Sequence, residues 1–348
     1  MLETVLEILL GHHRFVITTH QRPDGDAIGS QVALGRFLEH LGKEVLLFNT
    51  DSVPSSLDWM EGSENVQTQT TIDNLEAVSR ADVFIVVDTN SKERLGKTVG
   101  RALDLYQGPV LLIDHHTDPE SWFTWMLRDE DAAATGELVY DLICSYNQDL
   151  IDPVIATALY TALMTDTGSF RFSRVTPKIH RMVADLLECG SASPLDIYAG
   201  VYENHSRSWP RLISMIFQGL TYLHGGKLAY VTVTRHMLET TTVDQEETHG
   251  MSDLIMSISG VYVTLIFTET KKGVKVSFRS KGNYQVDTWA QNFGGGGHYN
   301  AAGAFIKHPI KQAIEMVIEA TPMFFIEEET VALVEEDQAY FQALSSPK

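Results

Sequence analysis

Residues 14–30 read RFVITTHQRPDGDAIGS, and their pattern indicates the fold class. It begins with a compact apolar and β-branched run at residues 14–19, which predicts a buried strand. A polar loop follows, and residues 27–41 then carry apolar side chains at helical spacing. A strand that leads through a short loop into a helix is half of a strand–helix–strand unit, and such units build parallel sheets.

The same pattern continues through the first half of the chain. Uniformly apolar runs predict three more strands, at residues 45–48, 83–87 and 110–113. Strands without a polar side belong to parallel sheets that helices cover on both faces. Helices are predicted at residues 136–145 and 152–164, the second opened by Asp152 as N-cap before a proline. The predicted fold class is therefore α/β, with a doubly wound, mainly parallel sheet.

The character of the sequence changes near Gly190, where glycine, serine and proline interrupt the apolar pattern. Beyond Lys227, apolar and polar residues alternate over several short stretches, which predicts half-buried strands. We therefore predict four parts: an α/β domain at residues 1–190, a linker at 191–222, a smaller α+β domain at 223–325 and an acidic tail at 326–348.

Composition excludes several classes of protein. The 348 residues include 26 basic and 46 acidic side chains, which gives a formal net charge of −20. Such a chain repels nucleic-acid backbones at long range, so a protein that coats duplex DNA is not expected. Cys144 and Cys189 are its only cysteines, too few for a disulfide framework or a thiolate cluster. With no basic leader and no apolar run of membrane-spanning length, we expect a soluble, cytoplasmic protein without a membrane partner.

Acidic and imidazole side chains collect where the predicted strands and one helix end, and parallel sheets bind ligands at that edge. Six of them are potential metal ligands: His20, Asp24, Asp26, Asp88, His115 and Asp166. Carboxylates with imidazoles suit a divalent ion such as manganese, and six ligands serve two neighbouring ions if one carboxylate bridges. Taken alone, the Asp-rich loop is equally an ordinary turn that caps a helix. Recurrence at four separate places favours the metal site.

A second motif lies near the end of the chain, where residues 293–303 read FGGGGHYNAAG. Consecutive glycines leave backbone amides open to a phosphate, although a glycine run by itself is also typical of a flexible loop. Five basic residues without an intervening acid precede it: Lys271, Lys272, Lys275, Arg279 and Lys281. A positive island in an acidic chain indicates an anion site.

Together these motifs resemble those of the DHH phosphoesterase superfamily, and the glycine–histidine motif resembles the DHH-associated domain of its NrnA-like members. The resemblance covers residues 11–320. It implies two divalent ions, usually manganese, with the ligands His20 and Asp24 for one, Asp26, His115 and Asp166 for the other, and Asp88 bridging them. Two features depart from the pattern: Thr89-Asn90 follows Asp88, and Tyr299 stands where a basic residue is expected.

The resemblance also implies roles for residues that do not bind metal. His116 would face the substrate and donate a hydrogen bond to phosphate oxygens, and Asp114 would orient a neighbouring imidazole. Binding of the substrate's phosphate and nucleotide would fall to Arg279, Ser280, Gly295, Gly296 and His298. Several basic residues after Asp166 either reach phosphate or lie on an exposed helix face: Arg171, Arg174, Lys178 and Arg181.

The implied activity is manganese-dependent hydrolysis of short oligoribonucleotides to mononucleotides and dephosphorylation of 3′-phosphoadenosine 5′-phosphate (pAp). The nucleophile would be a metal-activated hydroxide that attacks phosphorus. Two alternatives stay open: a phosphodiesterase for cyclic di-AMP or linear dinucleotides, and a nucleotide sensor without catalysis. The sequence ranks none of these substrates. A homodimer is the assembly that the resemblance implies.

Overall fold

The computed structural model describes residues 1–248 and 250–321. The chain forms two compact units, Met1–Asn204 and a second that begins at His205. This division falls inside the predicted linker at 191–222, where the chain is largely helical. The limits of that linker and of the two domains therefore stay predictions, and the acidic tail at 326–348 lies outside the described residues.

The first unit alternates strands and helices along the chain. Its strands are β1 (Arg14–Thr18), β2 (Glu44–Leu47), β3 (Val83–Val87), β4 (Val110–Asp114) and β5 (Trp125–Arg128). Its helices are α1 (Leu2–Gly11), α2 (Gly25–His40), α3 (Ile72–Arg80), α4 (Gly96–Leu105), α5 (Thr135–Tyr146), α6 (Pro153–Asp166), α7 (Pro177–Glu188) and α8 (Pro194–Tyr202).

The strands form one sheet in the order β2-β1-β3-β4-β5, and every neighbouring pair is parallel. Successive side chains of a strand enter two different apolar cores. In β3, for example, Ile85 packs into the core that contains α2, α5 and α6, whereas Val86 packs with α3 and α4. Helices therefore cover both faces of the sheet, which confirms the predicted doubly wound α/β class.

Helix α2 lies at the centre of the first unit, and 13 of its 16 residues are buried. Asp24 begins the helix, because its side chain accepts a hydrogen bond from the Ala27 amide. Gly29 allows the backbone of α6 to approach, since a Cβ at this position would lie 2.3 Å from the carbonyl oxygen of Ala158. This packing fixes the loop before α2 relative to the end of α6.

The second unit contains a mixed sheet. Its strands are β6 (Thr221–Leu223), β7 (Leu228–Val233), β8 (Val263–Thr270), β9 (Gly273–Ser280), β10 (Gly296–His298) and β11 (Ala301–Ile306). Its helices are α9 (Trp209–Phe217), α10 (Arg235–Thr241), α11 (Met251–Met256), α12 (Asp287–Gln291) and α13 (Ile310–Glu319). The strand order is β10-β11-β9-β8-β7-β6, and β7 and β8 form the parallel pair among antiparallel ones.

One element of the first sheet escaped prediction. In β5 only Leu127 is buried, because the strand is short and lies at the edge of the sheet. Without a run of buried apolar residues, such a strand carries little sequence signal. Among the described residues, the helices are all too short or too polar to cross a lipid bilayer.

Candidate metal centre

All of the predicted ligands lie in the first unit, at the carboxyl ends of its strands and at the end of α6. His20 follows β1, Asp88 follows β3, and His115 follows β4. Asp166 is the last residue of α6. The parallel sheet brings these positions together, because its strands all end at one edge.

Three sets of side chains offer ligand atoms that lie within 4.8 Å of one another. The sets are His20, Asp24 and Asp88; Asp26, His115 and Asp166; and Asp88, His115 and His116. The Asp88 carboxylate lies close to a histidine of each of the first two sets, since its oxygens are 3.3 Å from His20 Nε2 and 3.6 Å from His115 Nε2. The structure thus brings together all six residues that the sequence analysis singled out.

The His20 ring tests whether these residues suit a metal ion. Its Nε2 atom is buried and makes no hydrogen bond within the described part of the chain, although carboxylate oxygens of Asp88 and Asp24 lie 3.3 and 3.9 Å away. A buried nitrogen without a hydrogen bond costs free energy unless it has another partner. Facing two carboxylates, this nitrogen has the surroundings of a metal ligand, so the donor set fits a divalent ion.

Asp26 is held by the start of α5, which has no capping side chain of its own. The amides of Thr135 and Gly136 donate to the two Asp26 carboxylate oxygens at 2.7 and 2.9 Å, and the Ser30 hydroxyl donates at 3.0 Å. A carboxylate at a helix N-terminus also interacts favourably with the helix dipole. These three hydrogen bonds therefore fix the orientation of the Asp26 carboxylate.

Asp88 adopts a left-handed backbone conformation, with φ of 58°, which is unfavourable for a residue with a side chain. The Thr135 hydroxyl donates to its Oδ1 atom at 3.0 Å. Burial raises the pKa of Asp88. Its contact with His20 and the charges of His116 and His115 together lower that pKa by more, so the net shift is downward. The carboxylate is thus kept ionised for a cation.

The carboxyls of Asp26 and Asp166 lie close to other carboxylates, and Asp26 is fully buried. Burial first, and then the charges of neighbouring carboxylates, raise the pKa of Asp26 well above its ordinary value. Burial also raises the pKa of Asp166, to about 7, even though His115 acts in the opposite direction. Such a cluster is costly in the absence of positive charge. A divalent ion supplies that charge.

His116 and Asp114 form a separate pair beside the metal ligands. His116 Nδ1 lies 2.7 Å from Asp114 Oδ1, and Asp114 is fully buried. The contact fixes the orientation of the imidazole ring, as carboxylates do for histidines in metal sites. In the same way, His115 Nδ1 lies 3.2 Å from the carbonyl oxygen of Ala132, while its Nε2 lies 3.4 Å from Asp166.

The residues assigned to substrate binding lie in the second unit. Arg279 pairs with Ala301 in the sheet, and burial lowers the pKa of its guanidinium. Ser280 donates to the carbonyl oxygen of Tyr284 and accepts from the Asn300 amide. His298 ends β10, and its side chain lies outside what the structure describes.

The glycine run has a structural explanation besides phosphate binding. The Gly295 amide donates to the carbonyl oxygen of Ala290, so it is already occupied. A Cβ at Gly295 would lie 2.1 Å from the Gly303 carbonyl oxygen, and one at Gly297 would lie 2.4 Å from that of Ala301. Gly296 pairs with Gly303 between β10 and β11. These glycines let two backbones approach each other closely.

The positive island seen in the sequence is divided by the structure. Lys271 and Lys272 lie in the turn before β9, and Arg279 lies near the other end of that strand. A strand rises about 3.3 Å per residue, which separates the two ends by roughly 20 Å. The five basic residues therefore do not surround one anion, and an anion site at either end of the strand stays a prediction.

Sequence reasoning missed the contribution of Thr135 and Ser30 to the centre. Thr135 is 109 positions from Asp26 and 47 from Asp88, and its hydroxyl carries no metal-ligand signature. The only available signal was its place at the start of the predicted helix at 136–145, where a capping interaction is expected.

Comparison with known proteins agrees with the two-unit architecture. Residues 14–163 match the N-terminal domain of the DHH family, and residues 225–324 match the DHHA1 domain. The chain is 34% identical over 309 residues to the bifunctional oligoribonuclease and PAP phosphatase NrnA of Thermus thermophilus, covering 87% of this chain and 88% of that protein. The chain belongs to the DHH family.

Other DHH-family relatives cover a similar part of the chain. The protein named bifunctional oligoribonuclease and PAP phosphatase NrnA in Bacillus subtilis is 26% identical over 297 residues, which is 84% of this chain and 88% of that one. A crystal structure of an exopolyphosphatase-related protein from Bacteroides fragilis is also similar, with 26% identity and a TM-score of 0.86. It covers 93% of this chain and 97% of its own. Similarity to these proteins thus extends over more than four fifths of the chain.

Proposed function

We propose that this protein is a phosphoesterase that hydrolyses short oligoribonucleotides to mononucleotides and dephosphorylates pAp. The observation that carries the proposal is that Asp88, which belongs to the ligand set of His20 and Asp24, also lies 3.6 Å from His115 of the set that contains Asp26 and Asp166. The relatives named as oligoribonucleases and PAP phosphatases, at 34% and 26% identity, supply the substrate class.

The ligand sets support a centre of two divalent ions, which we propose to be manganese. His20, Asp24 and Asp88 would hold one ion, and Asp26, His115 and Asp166 the other, with Asp88 near both. When bound, such ions activate water as a nucleophile and neutralise charge on the phosphoryl oxygens.

The protein's own groups orient the reaction. Asp114 fixes the His116 ring through Nδ1, and we assign to Nε2 the hydrogen bond to a phosphate oxygen as negative charge develops there. Thr135 and the first amides of α5 hold Asp88 and Asp26 in place, which limits reorganisation during the reaction.

The proposal extends to the second unit and to the whole protein. Arg279 and Ser280, with Gly295, Gly296 and His298, are proposed to bind the phosphate and nucleotide of the substrate. We also propose a homodimer and a cytoplasmic location.

The test is release of AMP from 5′-phosphoadenylyl-adenosine, and of phosphate from pAp, by the purified protein with manganese and again with a chelator. We expect chelator-sensitive release of both products. An Asp88→Asn variant should lose at least a hundredfold in kcat, because removal of a central ligand disrupts both ion sites. The matched control is Asp104→Asn, which alters an exposed carboxylate on α4 and should leave both rates unchanged.

Two results would overturn the proposal. If manganese binds but neither substrate is consumed, the nucleotide-sensor alternative gains support. If cyclic di-AMP is cleaved at least tenfold faster than the linear dinucleotide, the alternative cyclic-dinucleotide phosphodiesterase is favoured.

A further inference from the structure

The segment that follows the last metal ligand, residues 167–175, has an unusual backbone. Gly168, Ser169 and Phe170 all have positive φ angles, of 57°, 59° and 63°. Two of these three residues carry a Cβ, for which the left-handed region is unfavourable. Such a conformation persists only where surrounding contacts enforce it, and it often accompanies a functional site.

Hydrogen bonds hold this loop in place. The Thr167 carbonyl oxygen accepts from the amides of Arg171 and Phe172, at 2.9 and 3.1 Å, and the Thr167 hydroxyl accepts from the Phe170 amide. The Arg171 side chain donates back to the Gly168 carbonyl oxygen at 2.6 Å. The Phe170 ring packs edge-on against Tyr160 of α6. The loop is therefore anchored to the helix that carries Asp166.

Phe172 is the exposed aromatic side chain on this anchored loop. Its residue is 53% exposed, so a face of the ring is open to a ligand. A Cβ at Gly168 would lie 2.4 Å from Phe172 Cζ, so the ring packs directly over the backbone two residues beyond Asp166. With 3.8 Å between consecutive Cα atoms, that backbone is at most roughly 8 Å from the Asp166 Cα. A flat apolar surface thus lies close to the metal centre.

Arg174 lies two residues after Phe172 and places a positive charge near the centre. Its Nη1 atom donates to the carbonyl oxygen of Ala132 at 3.4 Å, and His115 Nδ1 lies 3.2 Å from that same oxygen. The guanidinium is therefore a close neighbour of a metal-ligand ring. Its remaining N–H groups suit a phosphate, since guanidinium groups bind phosphate oxygens in pairs.

We propose that residues 167–175 form a nucleotide subsite, in which Phe172 stacks on a base and Arg174 binds a phosphate other than the reacting one. The inference rests on the proposed function, which supplies a substrate with both groups. Stacking on an aromatic ring tolerates any base, and a rigid ring binds with little loss of conformational freedom. The subsite would explain how a metal centre that recognises only phosphate selects nucleotides.

The first test compares three substrates: 5′-phosphoadenylyl-adenosine and its two analogues that each lack the base of one nucleotide. For Phe172→Ala we expect KM for the full dinucleotide to rise about 5- to 150-fold, as loss of one stacked base predicts, with kcat within about twofold. KM for one of the abasic compounds should not change. Phe172→Trp should restore the wild-type KM.

A second test concerns Arg174. Wild-type protein should prefer the 5′-phosphorylated dinucleotide over the unphosphorylated one, and Arg174→Gln should lose about tenfold of that preference because a charged hydrogen bond is removed. Leu105→Ala is the control, since Leu105 is 64% exposed at the end of α4, away from the ligand edge. Manganese affinity and Tm should be the same in all of these variants.

The outcomes separate this inference from the proposed function. If the wild type hydrolyses the dinucleotide and Phe172→Ala raises KM equally for full and abasic substrates, or for neither, the subsite is wrong while the function stands. If the wild type hydrolyses nothing, the function fails, and calorimetric titration of the same dinucleotides into each protein still tests base recognition. Equal affinity of wild type and Phe172→Ala for the full dinucleotide would then refute the subsite as well.

Discussion

Among single residues, Thr135 matters to the centre although it is not a proposed metal ligand, because its hydroxyl orients the Asp88 carboxylate. Thr135 is fully buried and donates to Asp88, a carboxylate that belongs to two of the three ligand sets. Partners of this kind orient metal ligands without touching the metal, and their loss typically lowers metal affinity 10- to 100-fold.

We therefore predict that Thr135→Val weakens manganese binding by about 10-fold or more, because valine keeps the shape but lacks the hydroxyl. Thr135→Ser should bind as the wild type does. Thr161→Val is the matched control, since Thr161 is a buried α6 residue whose hydroxyl donates to its own helix. Isothermal titration calorimetry gives the affinities, and equal values for valine and threonine at position 135 would contradict the assignment.

The pKa of Asp166, raised to about 7, predicts that ion binding depends on pH. Below that value the free carboxyl keeps its proton, and an incoming ion must displace it. Manganese affinity should therefore fall as pH decreases from about 8 to about 6, by up to tenfold per unit for one displaced proton. Calorimetry in two buffers of different ionisation enthalpy counts the protons released. Release of no protons at about pH 6 would disprove this prediction.

At the scale of elements, close contact between α2 and α6 positions the ligands that each helix carries. Asp24 and Asp26 stand at the start of α2, and Asp166 stands at the end of α6. The carbonyl oxygen of Ala158 occupies the space where a side chain at Gly29 would begin. A larger residue at Gly29 must push the two helices apart.

We predict that Gly29→Ala destabilises the protein by about 1–3 kcal/mol, even though alanine favours helices over glycine. Gly100→Ala in α4 is the control, because nothing lies within 4 Å of a Cβ at that position. It should leave stability unchanged or raise it by up to about 1 kcal/mol. Denaturant unfolding measures both, and a Gly29→Ala protein as stable as the control would show that the helices adjust freely.

The elements that form the site were predictable where their side chains are buried on both faces. The runs that became β3 and β4 are apolar up to the acidic residue that ends or follows each strand, and β1 is apolar or β-branched after Arg14. Each of the three strands is followed within two residues by a predicted ligand. The clamp on Asp26 was not predictable in the same way. It joins an amide and a carboxylate that are 109 positions apart, and backbone amides carry no sequence signature. The separation of the five basic residues along β9 was also not predictable, because it depends on the length of the strand.

At the scale of the whole molecule, the two units have separate apolar cores. The core of the first unit contains Phe37 and Leu159, for example, and that of the second contains Phe267 and Trp289. Every proposed metal ligand belongs to the first unit. Ion binding is therefore expected to stabilise that unit directly, as any ligand stabilises the folded state it binds.

This separation predicts the response of thermal unfolding to manganese. Differential scanning calorimetry should resolve two transitions, and saturating manganese should raise the Tm of one of them by several degrees. In Asp88→Asn neither transition should move. A single transition that manganese shifts would show that the two units unfold together, and equal shifts of two transitions would contradict ion binding to the first unit alone.

The clamp at the start of α5 also bears on how this protein can change in evolution. Two of the three groups that hold Asp26 are the main-chain amides of residues 135 and 136. Among substitutions at these two positions, only one to proline removes such an amide. Asp88, in contrast, relies on the hydroxyl of Thr135, which only serine can replace conservatively. Substitutions at position 135 should therefore be tolerated more readily by the Asp26 side of the centre than by the Asp88 side, which is under the stricter selection.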